Sequence, residues 1–486
     1  MLNYDTFFIG GKWVDAAGTD TVDVVSPTTG EVIGSVRDAT PADMDAAVAA
    51  ARAAFDNGPW PQMSPNERAD IMATISAEIT AQFDDFATLI STEMGAPLSF
   101  AQMGHVFAAT AVLDTYTQLA RDFAFEEVRA GMLGPTVVRR EPVGVAAAII
   151  PWNVPLFITM LKLAPALASG STMVVKPAPE TPLDAFKLAE ILERSGLPAG
   201  VVNIVPAGRT TGEHLVRHSD VDKVSFTGST AAGRKIGAIC GEQLKRCTLE
   251  LGGKSAAIVC DDVDLDAALP QLLPAALMNN GEACVAQTRI LAPRGRYDEV
   301  RDALADALRN FTVGDPLDPA TECGPLVAER QRERVEGYIA KGKAEGATLV
   351  VGGGRPAGFD RGFFVEPTLF ADVDNSMTIA REEIFGPVLS LIPYDGDDDA
   401  IAIANDSDYG LSGSVWTADN GRGLDIARRV RTGTYQVNQL AMDFGAPFGG
   451  FKTSGIGREL GPEGLQEYLE DKSIALPFGA EDVLPS

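Results

Sequence analysis

A thiol and a carboxylate are the first residues here whose types and spacing can do chemistry. Cys284 lies in Asn279-Asn280-Gly281-Glu282-Ala283-Cys284, just after an apolar, helix-like run over residues 274–278. Glu250 lies upstream in Thr248-Leu249-Glu250-Leu251-Gly252-Gly253-Lys254, on a strand-like segment that ends in a Gly-Gly turn. A thiol must become a thiolate before it attacks anything. The chain has three histidines, His105, His214 and His218, so a Cys–His pairing has few candidates. Glu250 is then the natural acid/base partner, and the combination points to carbonyl chemistry. The plainer alternative is that Cys284 is a small buried apolar residue, as most free cysteines are. Its window alone favours that alternative.

A second kind of chemistry is phosphate binding. The GxGxxG dinucleotide fingerprint after a strand is absent. The segment Val224-Ser225-Phe226-Thr227-Gly228-Ser229-Thr230 instead ends a strand and starts a helix at once. Free N–H groups and the helix dipole at such a start hold a phosphate, with Gly228 in the turn and Ser229 as cap or donor. A capped helix with no ligand reads equally well. His214 and His218 are four apart on a helix, but no third ligand is near them in the sequence, so no metal is expected.

Composition limits what these residues can belong to. A chain of 486 residues exceeds one compact core, so two or three domains are expected. Hydrophobic content of 45% with 22% charged residues describes a globular protein. Lys plus Arg number 40 against 67 Asp plus Glu, a formal charge of −27. That balance argues against nucleic acid and anionic membrane as partners. Five cysteines without a CxxC pair make neither a disulfide framework nor a structural zinc site. No signal peptide or bilayer-spanning stretch is evident, so the expected location is the cytoplasm.

The elements that must position the chemistry alternate between strand and helix. Residues 5–14 and 21–25 read as a strand pair around Gly10-Gly11. Thr40-Pro41 and Ser64-Pro65 each start a helix with a capping residue and a first-position proline. Thr136–Pro142 alternates like an exposed strand. Residues 144–150 form a continuous apolar run, as a parallel strand buried on both faces does. Helices at 155–168, 182–195 and 211–218 then alternate with strands at 172–176, 201–205 and 223–226. This succession predicts right-handed crossovers and an α/β, doubly wound Rossmann-like sheet. A second βα set runs from 255 to about 434, with a hairpin-like stretch at 348–354. Residues 471–477 read as a strand that pairs with the Thr136 strand or with another subunit.

Seven motifs then stand in order. They are Pro151-Trp152-Asn153-Val154-Pro155, Val175-Lys176-Pro177-Ala178-Pro179-Glu180-Thr181-Pro182, Phe226-Thr227-Gly228-Ser229 and Leu249-Glu250-Leu251-Gly252-Gly253-Lys254. Gly281-Glu282-Ala283-Cys284, Glu382-Glu383-Ile384-Phe385-Gly386-Pro387 and Pro447-Phe448-Gly449-Gly450-Phe451-Lys452 with the following Gly457-Arg458-Glu459 complete the series. The series resembles the NAD(P)-dependent aldehyde dehydrogenase superfamily over nearly the whole chain.

The resemblance implies a cofactor-binding domain of residues 1–122 and 143–252, to which 451–470 return. It implies an α/β catalytic domain of 253–450 and a small β bridging element, 123–142 with 471–486, that makes a homodimer or homotetramer. It implies that Cys284 is the nucleophile, Glu250 the general base and Asn153 the oxyanion donor, together with the Cys284 N–H. For the cofactor, Lys176 matches the adenosine-ribose lysine and Ser229, beside Gly228, the phosphate contact. Glu383 matches the nicotinamide-ribose carboxylate and Phe385 the ring beside the nicotinamide; Trp152 belongs to the Asn153 motif. The implied reaction oxidises a small-molecule aldehyde to the acid through a thiohemiacetal and a thioester. A CoA-acylating dehydrogenase or a thioester hydrolase on the same scaffold is the alternative.

Two positions depart from the family pattern. Glu282 stands where glutamine is common, and a carboxylate facing the thiol would raise its pKa. Pro179 stands where strict NAD users carry a glutamate on the ribose 2′-hydroxyl. NAD is the expected cofactor and NADP the alternative. Position beside the oxyanion residue places Val154, Ile158 and Leu161 in the substrate pocket, with Val285, Phe444 and Phe448 added. No Arg or Lys stands in these segments to grip a substrate carboxylate, so an apolar aliphatic or aromatic aldehyde is expected.

Overall fold

The computed structural model describes residues 1–479, so the last seven positions of the expected bridging segment, 480–486, lie outside the described residues. Two large sheets dominate. The first has eight strands, and its core is five parallel strands: Val145–Ile149, Thr172–Lys176, Val202–Ile204, Lys223–Thr227 and Arg246–Glu250. Numbered one to five in chain order, they lie in the order 5-4-1-2-3. The chain reverses its direction of travel between Val145–Ile149 and Lys223–Thr227. At such a switch point the loops leaving the two strands diverge and open a crevice. Those loops are Pro151-Trp152-Asn153 and Gly228-Ser229.

Local rules explain why these segments form. Val145–Ile149 is buried at every position between helical layers, which its unbroken apolar run anticipates. The helices Pro41–Asn57 and Pro65–Ala81 start as expected, with Thr40 and Ser64 in capping boxes and proline in the first turn. Each such cap contributes about 1 kcal/mol.

The N-terminal pairing differs from expectation. Thr6–Ile9 and Lys12–Asp15 form their own hairpin across Gly10 and Gly11, whose φ values of 63° and 74° suit the tight turn. Thr21–Val25 pairs instead with Val32–Arg37, in a separate three-stranded sheet.

The second large sheet has seven strands, with Ala256–Val259, Arg289–Pro293, Val388–Tyr394 and Gly413–Trp416 parallel at its centre. Thr348–Val351 lies antiparallel at its edge, paired to Thr368–Ala371 rather than to an adjacent hairpin arm. The N-terminal ends of these strands face the C-terminal ends of the first sheet. Segments entering Ala256, Arg289 and Val388 therefore meet segments leaving the first sheet.

A small sheet stands apart. Leu469–Ala475 pairs antiparallel with Thr136–Pro142, which pairs with Glu126–Arg129. Residues 471–475 thus take the first of the two partners considered for them. The short strand Gly455–Ile456 lies against Arg246–Glu250 and closes that edge of the first sheet. No helix among the described residues is long and apolar enough to cross a membrane.

Candidate active site

The junction between the two sheets brings together most of the residues singled out from sequence. Glu250 ends the strand Arg246–Glu250, and Gly252 and Gly253 carry the chain across to the second sheet. A Cβ on Gly253 would lie 2.2 Å from the Cys284 carbonyl oxygen, and one on Gly252 would lie 2.5 Å from Glu383 Oε2. Gly253 leaves no room for a side chain against the backbone of the Cys284 loop, and Gly252 lies against the Glu383 carboxylate. Gly253 N–H also donates to Glu383 Oε1 at 2.8 Å. Cys284, Glu250 and Glu383 are therefore neighbours.

The Cys284 loop follows the helix Leu265–Leu277. Asn279, Asn280 and Gly281 all adopt left-handed φ, at 53°, 62° and 75°. Three such residues in a row persist only where side chains fix them. The Asn279 amide donates to Asn153 O at 2.8 Å, and the Asn280 amide donates to Gly95 O and Pro325 O. The Asn153 amide donates to Glu282 O at 2.9 Å, two residues before Cys284. That bond uses one of its two N–H groups, which leaves the other for a neighbouring oxygen. His105, fully buried with its pKa pushed down to about 3 chiefly by desolvation, faces Asn279 and is neutral.

Electrostatics set the resting state. The half-buried Cys284 thiol is pushed up to about 12, first by desolvation and then by Glu383 and Glu250. Glu250 is held well above the usual carboxylate range by burial and by Glu459, with Lys162 and Arg458 opposing. Neither carboxylate oxygen of Glu250 has a hydrogen-bond partner. Glu383 is pushed up to about 7 by burial, against the Gly253 N–H. Glu282 does not act on the thiol. Its carboxyl turns away, accepts from Val327 N–H at 3.2 Å and is held well above its ordinary range by burial.

The sequence did not single out a pair behind Glu250. Lys162 Nζ lies 2.6 Å from Glu459 Oε1, a buried pair, and donates to the part-buried Thr227 Oγ1 at 2.8 Å. A lysine inside the otherwise apolar helix Pro155–Ser169 was the available signal, since a buried ammonium demands a partner. Glu459→Gln is expected to shift the Glu250-governed limb of the kcat–pH profile to lower pH. It removes the negative charge that does most, after burial, to hold that acid's pKa up. Leaving Lys162 unpaired costs about 3–5 kcal/mol of stability, measurable by urea unfolding. A limb that stays in place or moves upward would exclude this coupling.

The cofactor candidates lie around the switch-point crevice. Ser229 caps the helix Thr230–Gln243, accepting from Ala232 N–H at 3.3 Å. Gly228 leaves no room for a side chain against the Phe226 ring, where a Cβ would approach to 2.5 Å. Lys176 Nζ donates to Pro177 O and Ala207 O, which leaves one donor, and burial pushes its pKa down to about 8. Trp152 and Phe385 meet edge to face at 5.3 Å between ring centres, with Phe385 held at a φ of 63°. Glu180, next to Pro179, is ion-paired with Arg330.

The pocket candidates share one apolar cluster with Cys284. Val154, Ile158, Leu161 and Phe448 are buried in it, while Val285 and Phe444 pack against it half-exposed. Phe157, not singled out from sequence, joins them edge to face with Phe444 at 6.3 Å. His214 and His218 share Asp45 as a partner on the surface. Among the described residues, no group of three His, Cys, Asp or Glu side chains is arranged to hold a metal.

Comparison with known proteins shows the family. A sequence model of the Aldehyde dehydrogenase family matches residues 13–474. Geranial dehydrogenase of Castellaniella defragrans is 48% identical, over 98% of this chain and 99% of that protein. The crystal structure of a Mycobacterium tuberculosis aldehyde dehydrogenase complexed with NAD+ is 54% identical at a TM-score of 0.97, covering 98% of this chain and 99% of that one. A cysteine-to-alanine variant of aldehyde dehydrogenase C from Pseudomonas syringae, complexed with NAD+ and octanal, is 42% identical at a TM-score of 0.94, covering 97% and 96%. With its motifs, its two facing sheets and these relatives in agreement, the chain belongs to the aldehyde dehydrogenase family.

Proposed function

We propose that this protein oxidises apolar aldehydes to carboxylic acids with NAD+, using Cys284 as nucleophile, Glu250 as general base and Asn153 as oxyanion donor. The observation that carries the reading is the packing of the Cys284 loop against Gly253 between Glu250 and Glu383. The surrounding residues fit the cofactor. The N-terminus of the helix Thr230–Gln243 offers N–H groups to a pyrophosphate, and Lys176 offers a spare donor to a ribose. Glu383 offers an acceptor, and the Trp152–Phe385 pair offers an apolar wall. When bound, the nicotinamide supplies positive charge that favours the thiolate and accepts the hydride from the tetrahedral carbon.

The protein's own groups do the rest. Cys284 Sγ attacks the carbonyl carbon and forms a thiohemiacetal. The free N–H of the Asn153 amide and the Cys284 backbone N–H, in place before the reaction begins, stabilise its oxyanion. Loss of hydride leaves a thioester on Cys284. Glu250 then takes a proton from the water that attacks this thioester. Its raised pKa suits the task, because a stronger base accepts that proton more readily. Lys162 and Glu459 stand behind it and set its charge surroundings.

An apolar substrate is supported by the cluster of Val154, Phe157, Ile158, Leu161, Phe444 and Phe448. The names of the two relatives that include geranial and octanal support it too. NADH formation with a panel of aldehydes tests the reading. Octanal and geranial are expected to exceed succinic semialdehyde in kcat/KM by about 10²-fold, with NAD+ preferred over NADP+. A preference for the carboxylate-bearing aldehyde would overturn the pocket assignment.

The family fold is also proposed to assemble as a homodimer or homotetramer through the small sheet. Met132, Leu133 and Phe478 leave 95%, 86% and 71% of their surface exposed beside Leu469–Ala475. Apolar residues so exposed favour a partner surface. Sedimentation velocity at micromolar protein is expected to show no monomer as the main species. The five cysteines are free, which suits a cytoplasmic site of action.

A further inference from the structure

The helix Thr230–Gln243 packs on the strand Arg246–Glu250 and its continuation through a regular ladder. A Cβ on Gly233 would meet the Leu251 side chain at 2.4 Å, and one on Gly237 would meet Leu249 at 3.4 Å. Helix positions advance by about one turn while strand positions step back by two, so successive rungs keep to one face of each element. The next rung sets Cys240 opposite Cys247, and both side chains pack in one apolar cluster. The corner between them is fixed by Lys245 N–H donating to Cys240 O at 2.9 Å and by Leu244 at a φ of 58°.

The two sulfurs differ. Cys240 is buried, whereas Cys247 is half-buried and within reach of small solutes. The neighbouring Cys240 and the Lys223 ammonium hold the Cys247 thiol below the usual thiol range, against burial. The Cys240 thiol is pushed upward by the neighbouring Cys247 and by burial. An accessible sulfur with thiolate character thus sits beside a protonated, shielded one, which is the arrangement of an attacking and a resolving cysteine.

We propose that Cys240 and Cys247 form a reversible disulfide when the enzyme meets a hydroperoxide, a redox site separate from Cys284. The Cys247 thiolate attacks the peroxide. The O–O bond breaks, an S–O bond forms, and the departing alkoxide or hydroxide takes up a proton. Cys240 then loses its proton and attacks the sulfenic sulfur. The S–S bond forms, the S–O bond breaks, and the hydroxyl leaves as water. Two thiols give up two electrons in all, and the peroxide is the species reduced. A dithiol reverses the bond.

Peptide mapping of the wild-type enzyme tests this. Trypsin cuts after Lys235, Lys245, Arg246 and Lys254, which separates Cys240 from Cys247. Purified enzyme is treated with hydrogen peroxide, quenched with iodoacetamide in denaturant and digested. Peptides 236–245 and 247–254 are expected joined, two hydrogens lighter than their sum, and separated by dithiothreitol. In Cys240→Ser, Cys247 is expected to stop at a sulfenic acid that dimedone traps. Full alkylation of both cysteines after excess peroxide would overturn the proposal. So would Cys247 reaching the sulfinic state beside a free Cys240.

Discussion

Cys284→Ala is expected to lower kcat for aldehyde oxidation by roughly 10⁴-fold or more, with the fold and NAD+ affinity retained. Without the thiol, no tetrahedral adduct forms and hydride has no route off the carbonyl carbon. The change removes one sulfur atom from a half-buried side chain. The loop itself is held by Asn153, Asn279 and Asn280 through bonds that do not involve Cys284 Sγ. Reduced-nicotinamide absorbance reports the rate, and fluorescence titration reports NAD+ binding. Turnover near the wild-type rate would remove Cys284 from the mechanism. Loss of NAD+ binding along with activity would point to a collapsed site instead.

Glu250→Gln is expected to separate the two halves of the reaction. A burst of NADH matching the enzyme concentration should persist, followed by a steady state about 10²–10⁴-fold slower. Intact-mass analysis during the slow phase should show the acyl group on the protein. Glutamine fits because the site is tight, with a Cβ on Gly449 only 2.8 Å from Glu250 Oε1. The substitution also removes a negative charge that raises the thiol's pKa. At any pH where Glu250 is ionised, Cys284 in the variant therefore ionises more readily, and the pH profile of the burst rate shifts to lower pH. A variant that loses the burst altogether would assign Glu250 to acylation rather than to hydrolysis.

Most of the first sheet was legible in the chain because its strands are short apolar runs that alternate with helices. The switch point followed from their succession. What stayed hidden is non-local. Thr21–Val25 has a strand's pattern, but its pattern does not say that Val32–Arg37 rather than the first hairpin is its partner. Lys162 and Glu459 are 297 positions apart, and neither shows by itself that it faces the other. The orientation of Glu282 is a matter of one rotamer, which the sequence leaves open. Cys284 itself gained meaning only from ordered company, and the structure explains why: its loop is built from Asn153, Gly253 and Pro325 as much as from its own neighbours.

The short strand Gly455–Ile456 has a consequence for how this protein comes into being. It covers the edge of the strand that bears Glu250, and the next few residues bring Glu459 to Lys162. Leu469–Ala475 then reaches back to Thr136–Pro142. On a ribosome, the first sheet emerges with the edge at Arg246–Glu250 still bare, and Lys162 still lacks its carboxylate. Such long-range closure is slow and leaves an open strand edge in the meantime. Activity is therefore expected to wait for residues 455–459 to emerge, and a nascent chain halted before residue 455 holds Cys284 and Glu250 without an enclosed site for them.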